Sequence, residues 1–232
     1  MPFLGDTPST TSITAGAPST LSDTQVLGSG AEEDVKIIFD GNAVDYHIGV
    51  DDSADTLNFG KGSTLGTTTS QTFDTNGIIQ RPLQTSFFVN SDVSFGPSNQ
   101  SLAKDVYRTE SMGDEIFDTN ADFDTTNDTF TAPVTGIYRI TGQYRYEFIQ
   151  NDANHLFELV TSDNTFVTDY NDDILSADMD FGTVNIMADV PMDAGDTAKL
   201  QFKQVGGSTD RDKATSDNPN AIDTYMSGFL LG

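Results

Sequence analysis

The chain has 232 residues, and its eleven lysines and arginines against thirty-six aspartates and glutamates give a formal net charge of −25. A polyanion of this size is repelled by nucleic acid and by anionic membranes, so neither is an expected partner. The absence of cysteine excludes disulfides, thiol catalysis and thiolate metal sites.

Residues 1–30 are the first of three zones along the chain. They contain eighteen Ser, Thr, Gly or Pro residues and only two charged residues, a composition that cannot bury a core of its own. The basic start and apolar run of a signal peptide are missing, so a secretory route is not expected. We predict an extended N-terminal anchor that binds another protein. Its candidate contact residues are Pro2, Phe3, Leu4, Pro8, Ile13 and Pro18.

Short strands separated by tight turns are predicted for residues 31–84. Val35, Ile37 and Phe39 stand at alternate positions, a turn signal follows at residues 40–42, and the alternation resumes at Tyr46. A segment this small and thin is not stable alone. We therefore predict a β-rich shaft module in which copies of the chain intertwine or pack together.

The run from residue 36 to residue 68 resembles a short module of tail fibres and other structural proteins of marine bacteriophages. Its most specific pieces are residues 39–43 and 48–55, FDGNA and IGVDDSAD. The resemblance implies a shaft that precedes a distal domain. The chain has no Gly-X-Y repeat of the collagen type, which favours a viral fibre over an animal secreted protein.

Alternating strands dominate residues 85–232, the predicted head domain. One strand places Tyr138, Ile140, Gly142, Tyr144, Tyr146 and Phe148 on one face. The alternation recurs in residues 184–190 and 199–203, and no window sustains a helical spacing over several turns. These patterns predict an all-β, antiparallel jelly roll. The candidates for its core or for a subunit interface are Tyr138, Ile140, Tyr144, Tyr146, Phe148 and Phe229.

Residues 117–138 carry the pattern of a known family of β-sandwich heads. Asp118, Phe123, Phe130, Gly136 and Tyr138 stand where the globular head of the first complement component has Asn/Asp, an aromatic residue, Phe, Gly and Tyr. That head is related to the tumour-necrosis-factor (TNF) jelly roll. The resemblance implies a TNF-like head that assembles as a homotrimer.

Two further segments resemble the same family, and three positions depart from it. Residues 190–202 are similar to its apolar strand, Gly-Asp turn and following strand, and residues 226–231 are similar to its closing strand. Met112, Ile140 and Gly142 replace aromatic residues of the family pattern. The resemblance covers roughly residues 85–232, more than half of the chain.

The sequence contains no convincing catalytic motif, and we predict that the protein is not an enzyme. His47 and His155 lie in polar sequence contexts, and no serine stands in a strained Gly-x-Ser-x-Gly turn. The segment 60–64 has some features of a phosphate loop, but a glycine separates its lysine from its serine and no helix is predicted after it.

One acidic segment is a candidate calcium site. Its oxygen-bearing residues are Asp118, Asn120, Asp122, Asp124 and Asp128, which are ligands of the type that calcium prefers. The EF-hand pattern fails because the positions that need Gly and a bidentate Glu hold Phe123 and Thr129. A calcium site and a solvated acidic turn therefore both remain open, and no other cofactor is expected.

The zones together predict a non-enzymatic, homotrimeric structural protein of a bacteriophage particle. The first hypothesis is a tail fibre or spike, anchored by its N-terminus, whose head attaches to a glycan or protein of the host surface. Alternatives are a capsid fibre or decoration protein, and a secreted adhesin or lectin-like module. The expected location is the extracellular virion, assembled in the host cytoplasm. The acidic surface suits a salty medium and suggests a marine source.

Overall fold

The computed structural model describes residues 26–91, 101–149, 152–171, 179–207, 211–213 and 222–232. Within these ranges every regular element is a β-strand, and no helix that could cross a membrane is found there. The predicted anchor residues Pro2, Phe3, Leu4, Pro8, Ile13 and Pro18 lie outside the described residues.

The chain divides into two units. The first comprises the residues up to Thr68 together with Thr72–Ile78, and the second comprises Thr69–Gln71 and Ile79–Gly232. A five-stranded sheet contains, in this order, β1 (Val35–Phe39), β2 (Tyr46–Asp51), β3 (Thr56–Lys61), β4 (Thr69–Phe73) and β5 (Ile79–Gln80).

Glycines allow a loop to cover one face of the N-terminal sheet. A Cβ added to Gly49 would lie 3.0 Å from a methyl carbon of Leu65, and one added to Gly60 would lie 2.9 Å from the carbonyl oxygen of Thr68. The loop of residues 62–68 can therefore pack closely on the strands, and it covers His47, whose Nδ1 lies 2.8 Å from the carbonyl oxygen of Gly62. Apart from Ile38, which is 43% exposed, the strand residues on this side are small or polar.

The second unit contains the remaining strands. They are β6 (Ser86–Asn90), β7 (Ser101–Leu102), β8 (Arg108–Thr109), β9 (Asp114–Asp118), β10 (Phe123–Asp124), β11 (Thr129–Thr131), β12 (Gly136–Ile149), β13 (Ala153–Thr161), β14 (Thr165–Asn171), β15 (Met179–Met192), β16 (Thr197–Gly206), β17 (Arg211–Lys213) and β18 (Tyr225–Leu230). One sheet has the order β9-β6-β18-β12-β15, with β17 also paired to β12 and β7 paired to β17. The other sheet has the order β10-β11-β16-β13-β14, with β8 on β16. All pairings described are antiparallel.

The strand order is that of a jelly roll. Its eight main strands, taken along the chain, are β6, β11, β12, β13, β14, β15, β16 and β18. The first, eighth, third and sixth of these are neighbours in one sheet, and the second, seventh, fourth and fifth are neighbours in the other. This interleaving is produced by two Greek keys, because the chain crosses between the sheets at each end. The predicted all-β jelly-roll fold is confirmed.

The alternation predicted for β12 is also confirmed. Tyr138, Ile140 and Tyr144 are fully buried and Tyr146 is 1% exposed, whereas the intervening residues are only partly buried. The ring of Tyr144 stacks on Phe202 of the opposite sheet, with centroids 4.4 Å apart. The core thus lies between the two sheets.

Gly142 explains how the two sheets approach each other in the middle of β12. A Cβ at this position would lie 2.6 Å from Cδ1 of Leu200, inside van der Waals contact. The family-like pattern carries an aromatic residue there, so the glycine makes room for a leucine from the other sheet. The side chain of Phe148, the last of the predicted inward residues, is outside the described side chains.

Three rings of the complement-like pattern form one end of the core. Phe130 stacks on Phe87 with centroids 4.7 Å apart and lies 5.5 Å from Tyr138. Phe123 contacts Phe87 at 5.4 Å. The hydroxyl of Tyr138 donates a 2.7 Å hydrogen bond to the carbonyl oxygen of Val134, so the one polar atom of this cluster is satisfied. The motif is therefore explained by packing.

Candidate subunit interface

Among the described residues, the jelly roll has an uncovered surface on the solvent side of the sheet β9-β6-β18-β12-β15, which we call the outer face. Alternation in these strands places its side chains opposite to those of the core. Its central members are Phe117, Phe88, Tyr225, Phe229, Ile137, Arg139, Arg145, Met187 and Asp189. Phe229, predicted to lie in the core or in an interface, is 43% exposed here and is not part of the core of the single chain.

An aromatic cluster occupies one side of the outer face. Phe88 stacks on Tyr225, with centroids 5.1 Å apart and an interplanar angle of 19°, and lies 6.3 Å from Phe117. The three residues belong to three neighbouring strands, and the register pairs Phe88 directly with Phe117. Phe117 is 49% exposed, so a large apolar ring faces water in the single chain. Exposed clusters of this kind are typical of interaction surfaces.

The charges of the outer face are paired. Arg139 donates two hydrogen bonds to Asp189, from Nε at 2.7 Å and from Nη2 at 2.8 Å, and these bonds lower the pKa of the Asp189 carboxyl. Arg145 donates from Nη1 to Asp223 at 2.9 Å, and its guanidinium lies 4.7 Å from the ring centre of Phe181. In a chain with a net charge of −25, such pairing lowers the repulsion between this face and another acidic surface.

The outer face was not found by sequence reasoning, although one signal was present. Phe87 and Phe88 are adjacent in β6, and two neighbouring strand residues cannot both point into one core. Phe87 is 1% exposed and inward, so Phe88 points outward. The contact of Phe88 with Tyr225 joins strands that are far apart in the sequence, and only the fold brings the two rings together.

The acidic segment is organised by local hydrogen bonds. Asp118 accepts a 2.7 Å bond from the N–H of Phe123, and Asp124 accepts one of 2.8 Å from the N–H of Thr126. Asp128 accepts a 2.7 Å bond from the N–H of Met112. Asp118 and Asp124 thus stabilise local turns, whereas Asp128 links its loop to a segment sixteen residues away.

Asp122 lies close to Asp118, and its carboxyl is partly buried. Burial raises the pKa of its carboxyl, and the nearby charge of Asp118 adds to the effect. Asn120 turns its amide toward the carbonyl oxygen of Leu83. Among the described residues, no group of three or more acidic or histidine side chains is arranged to hold a metal. The five predicted calcium ligands are therefore not brought together in one site.

Both histidines are buried, in contrast to their polar sequence contexts. His155 is fully buried, and its ring stacks on Tyr146 at 4.9 Å and on Phe202 at 5.7 Å. It stands at an inward position of β13, so the alternation of the strand decides its environment. His47 is 1% exposed beneath the loop of residues 62–68. The positions of both residues fit structural roles.

No protein-family model and no curated protein matches the chain. Among solved structures it is similar to the globular domain of zebrafish complement 1qA, with 14% identity and a TM-score of 0.42, covering 64% of this chain and 98% of that one. It is also similar to Eiger TNF from S. frugiperda, with 11% identity and a TM-score of 0.43, covering 64% of this chain and 94% of that one. Murine APRIL is 11% identical with a TM-score of 0.42, and the likeness covers 64% of this chain and 99% of that one. These likenesses concern the fold alone, and the resemblance of residues 36–68 to a phage module stays a prediction.

Proposed function

We propose that the protein is a non-enzymatic, homotrimeric structural protein of a bacteriophage particle, a short fibre or spike. The observation that carries the trimer is the outer face, which combines an exposed aromatic cluster with paired charges. The phage assignment is supported by the resemblance of residues 36–68 to a shaft module of phage fibres. The N-terminal segment supplies the anchor, and the jelly roll attaches to a host-surface glycan or protein.

Three copies that turn their outer faces to a common axis would bury the rings of Phe88, Phe117 and Tyr225. Full burial of an exposed side chain of this size contributes about 1.5–3 kcal/mol. The three rings are already partly buried in the single chain, so each supplies a fraction of this amount against the entropy of association. The ion pairs at Arg139 and Arg145 leave the opposed faces with little net charge. Closed symmetry also protects the strand edges from aggregation.

The experiment that tests the trimer is light scattering on the full chain. The expected mass is three times the chain mass of 25.0 kDa. Phe117→Asp should dissociate the trimer, because it places a charge in the apolar part of the interface. Val167→Asp is the matched control, since Val167 is 52% exposed on the other sheet and Phe117 is 49% exposed on the outer face.

Dissociation by Phe117→Asp alone supports the proposal. A monomeric wild type at micromolar concentration contradicts it, as does dissociation by both variants. The site of attachment is tested separately by locating the protein in the density of an intact particle. A position on the tail supports a fibre or spike. A position on the shell supports a capsid fibre or decoration protein.

A further inference from the structure

The N-terminal sheet has its apolar side turned outward. Antiparallel register places Val35, Ile37 and Phe39 of β1 directly beside Val50, Ile48 and Tyr46 of β2. Leu57 and Phe59 of β3 continue the same rows. We call these eight residues the apolar face. The ring of Phe73 in β4 extends it, since its centroid lies 6.0 Å from that of Phe59.

Most of the apolar face is exposed within the part of the chain that the structure describes. Phe39 is 53% exposed, Tyr46 is 56% exposed, and Ile37 and Val50 are 46% and 45% exposed. The opposite side of the same strands is covered by the loop of residues 62–68, and it buries His47 and Asn58 to 1% and 2% exposure. The sheet therefore buries polar side chains and leaves its apolar ones in water, the reverse of the usual arrangement.

Part of the apolar face has a neighbour within the described chain. Residues between 27 and 33 lie beside it and leave a cleft of about 310 Å³, whose lining includes five residues of the face: Val35, Ile37, Ile48, Val50 and Leu57. The rings of Phe39 and Tyr46 do not line this cleft. The exposed apolar area has a cost of roughly 25 cal/mol for each Å² left in water, so the face is suited to an intermolecular contact.

We propose that the apolar face packs against the same face of other copies of this chain, a second interface that is separate from the outer face. The inference rests on the proposed trimer. Its first support is charge: the chain carries thirty-six acidic residues, but none of the eight residues of the apolar face is acidic. Copies of a polyanion can approach one another closely where such a surface is free of like charge.

The second support is area. Three strands about 4.8 Å apart and five residues of about 3.3 Å each give a face of roughly 240 Å². A stable complex between free partners needs about 800 Å² on each side, so this face is too small to hold a separate protein. Copies already joined through their jelly rolls meet at an effective concentration in the millimolar range, at which a small apolar contact is sufficient.

The absence of cysteine from the chain permits a direct test by crosslinking. Ile37→Cys and Ile38→Cys form a matched pair, because the two isoleucines are neighbours in β1, are 46% and 43% exposed, and point to opposite sides of the sheet. Each chain then has a single thiol, so any product of a short bis-maleimide joins two chains. Light scattering on the same samples reports whether the trimer is present.

In a trimeric sample, Ile37→Cys should give crosslinked pairs at least about ten-fold faster than Ile38→Cys. Both thiols share the millimolar effective concentration of the trimer, but only those at residue 37 are held within reach of a short linker by the packed apolar faces. Phe39→Cys, on the same face, should behave like Ile37→Cys. Equal rates for residues 37 and 38 in an intact trimer overturn the inference and leave the trimer standing. A monomeric sample overturns both.

A third result would identify a different occupant. If Ile37→Cys neither crosslinks nor reacts with a monofunctional maleimide while Ile38→Cys reacts freely, the chain's own N-terminal residues cover the face, and the inference is wrong.

Discussion

Tyr138 offers a test of the core in which packing and hydrogen bonding can be separated. Its ring is fully buried, it lies 5.5 Å from the ring of Phe130, and its hydroxyl donates to the carbonyl oxygen of Val134. Tyr138→Ala removes the ring and leaves a cavity between the sheets, so the free energy of unfolding should fall by about 3–5 kcal/mol. This loss would be a large part of the total stability of a domain.

Tyr138→Phe keeps the ring and removes only the hydroxyl. The expected loss is about 0.5–1.5 kcal/mol, the net contribution of one hydrogen bond. Arg139→Ala is the control on the opposite face of the same strand, where the side chain is 40% exposed and pairs with Asp189. Within the single chain this pair is exposed and contributes little to stability. The variant should therefore lose much less than Tyr138→Ala, even though it leaves Asp189 unpaired on the outer face.

The measurement is urea unfolding at a single protein concentration, since the stability of an oligomer depends on concentration. The predicted order of destabilisation is Tyr138→Ala, then Tyr138→Phe, then Arg139→Ala. If Arg139→Ala costs as much as Tyr138→Ala, the two faces of β12 have been assigned wrongly. If Tyr138→Phe costs as much as Tyr138→Ala, the hydrogen bond to Val134 matters more than the packing of the ring.

Three further predictions concern separate parts of the molecule. Gly142→Ala should lower the melting temperature, because its Cβ would lie 2.6 Å from Cδ1 of Leu200. Gly195→Ala is the comparison, since it tests only a positive φ of 96° in open space. An unchanged melting temperature for Gly142→Ala would contradict the close approach of the sheets. Burial raises the pKa of Asp122, so the folded state holds the carboxyl proton more tightly than the unfolded chain does. The resulting contribution to the free energy of unfolding is complete below the ordinary pKa and is lost as the pH rises through the raised value. Asp122→Asn should therefore melt at a higher temperature than the wild type at pH 7 and at the same temperature in acid, and a lower melt at pH 7 would oppose this reasoning. Deletion of residues 1–30 should leave a soluble trimer with an unchanged melting temperature that no longer joins particles, and normal incorporation would move the anchor to the shaft module.

The sequence by itself was sufficient to predict the class of fold. A half-buried strand needs apolar residues at every second position, and residues 138–148 show this period without interruption. The aromatic and glycine positions between residues 117 and 138 added the jelly roll, since they pack one end of its core. These signals are local, and each can be read within one strand or one turn.

Alternation defines two faces of a strand but does not say which of them is covered. In β2 the sequence shows Tyr46, Ile48 and Val50 against His47 and Gly49, and the apolar set would ordinarily be assigned to the interior. The structure reverses this assignment because the loop of residues 62–68 packs on the side where Gly49 leaves room for it. The apolar face is therefore a property of tertiary structure.

The same limit applies to the outer face and to the acidic segment. Phe88 and Tyr225 are more than a hundred residues apart in the sequence, and they stack only because β18 returns to lie beside β6. The oxygen-rich residues from 118 to 128 predicted a shared ligand set, but their carboxylates accept hydrogen bonds from backbone N–H groups of separate segments. Residue types and their spacing indicate which functional groups are present. The tertiary structure decides which of these groups come into contact, because contacts between distant strands depend on the order of strands in the whole sheet.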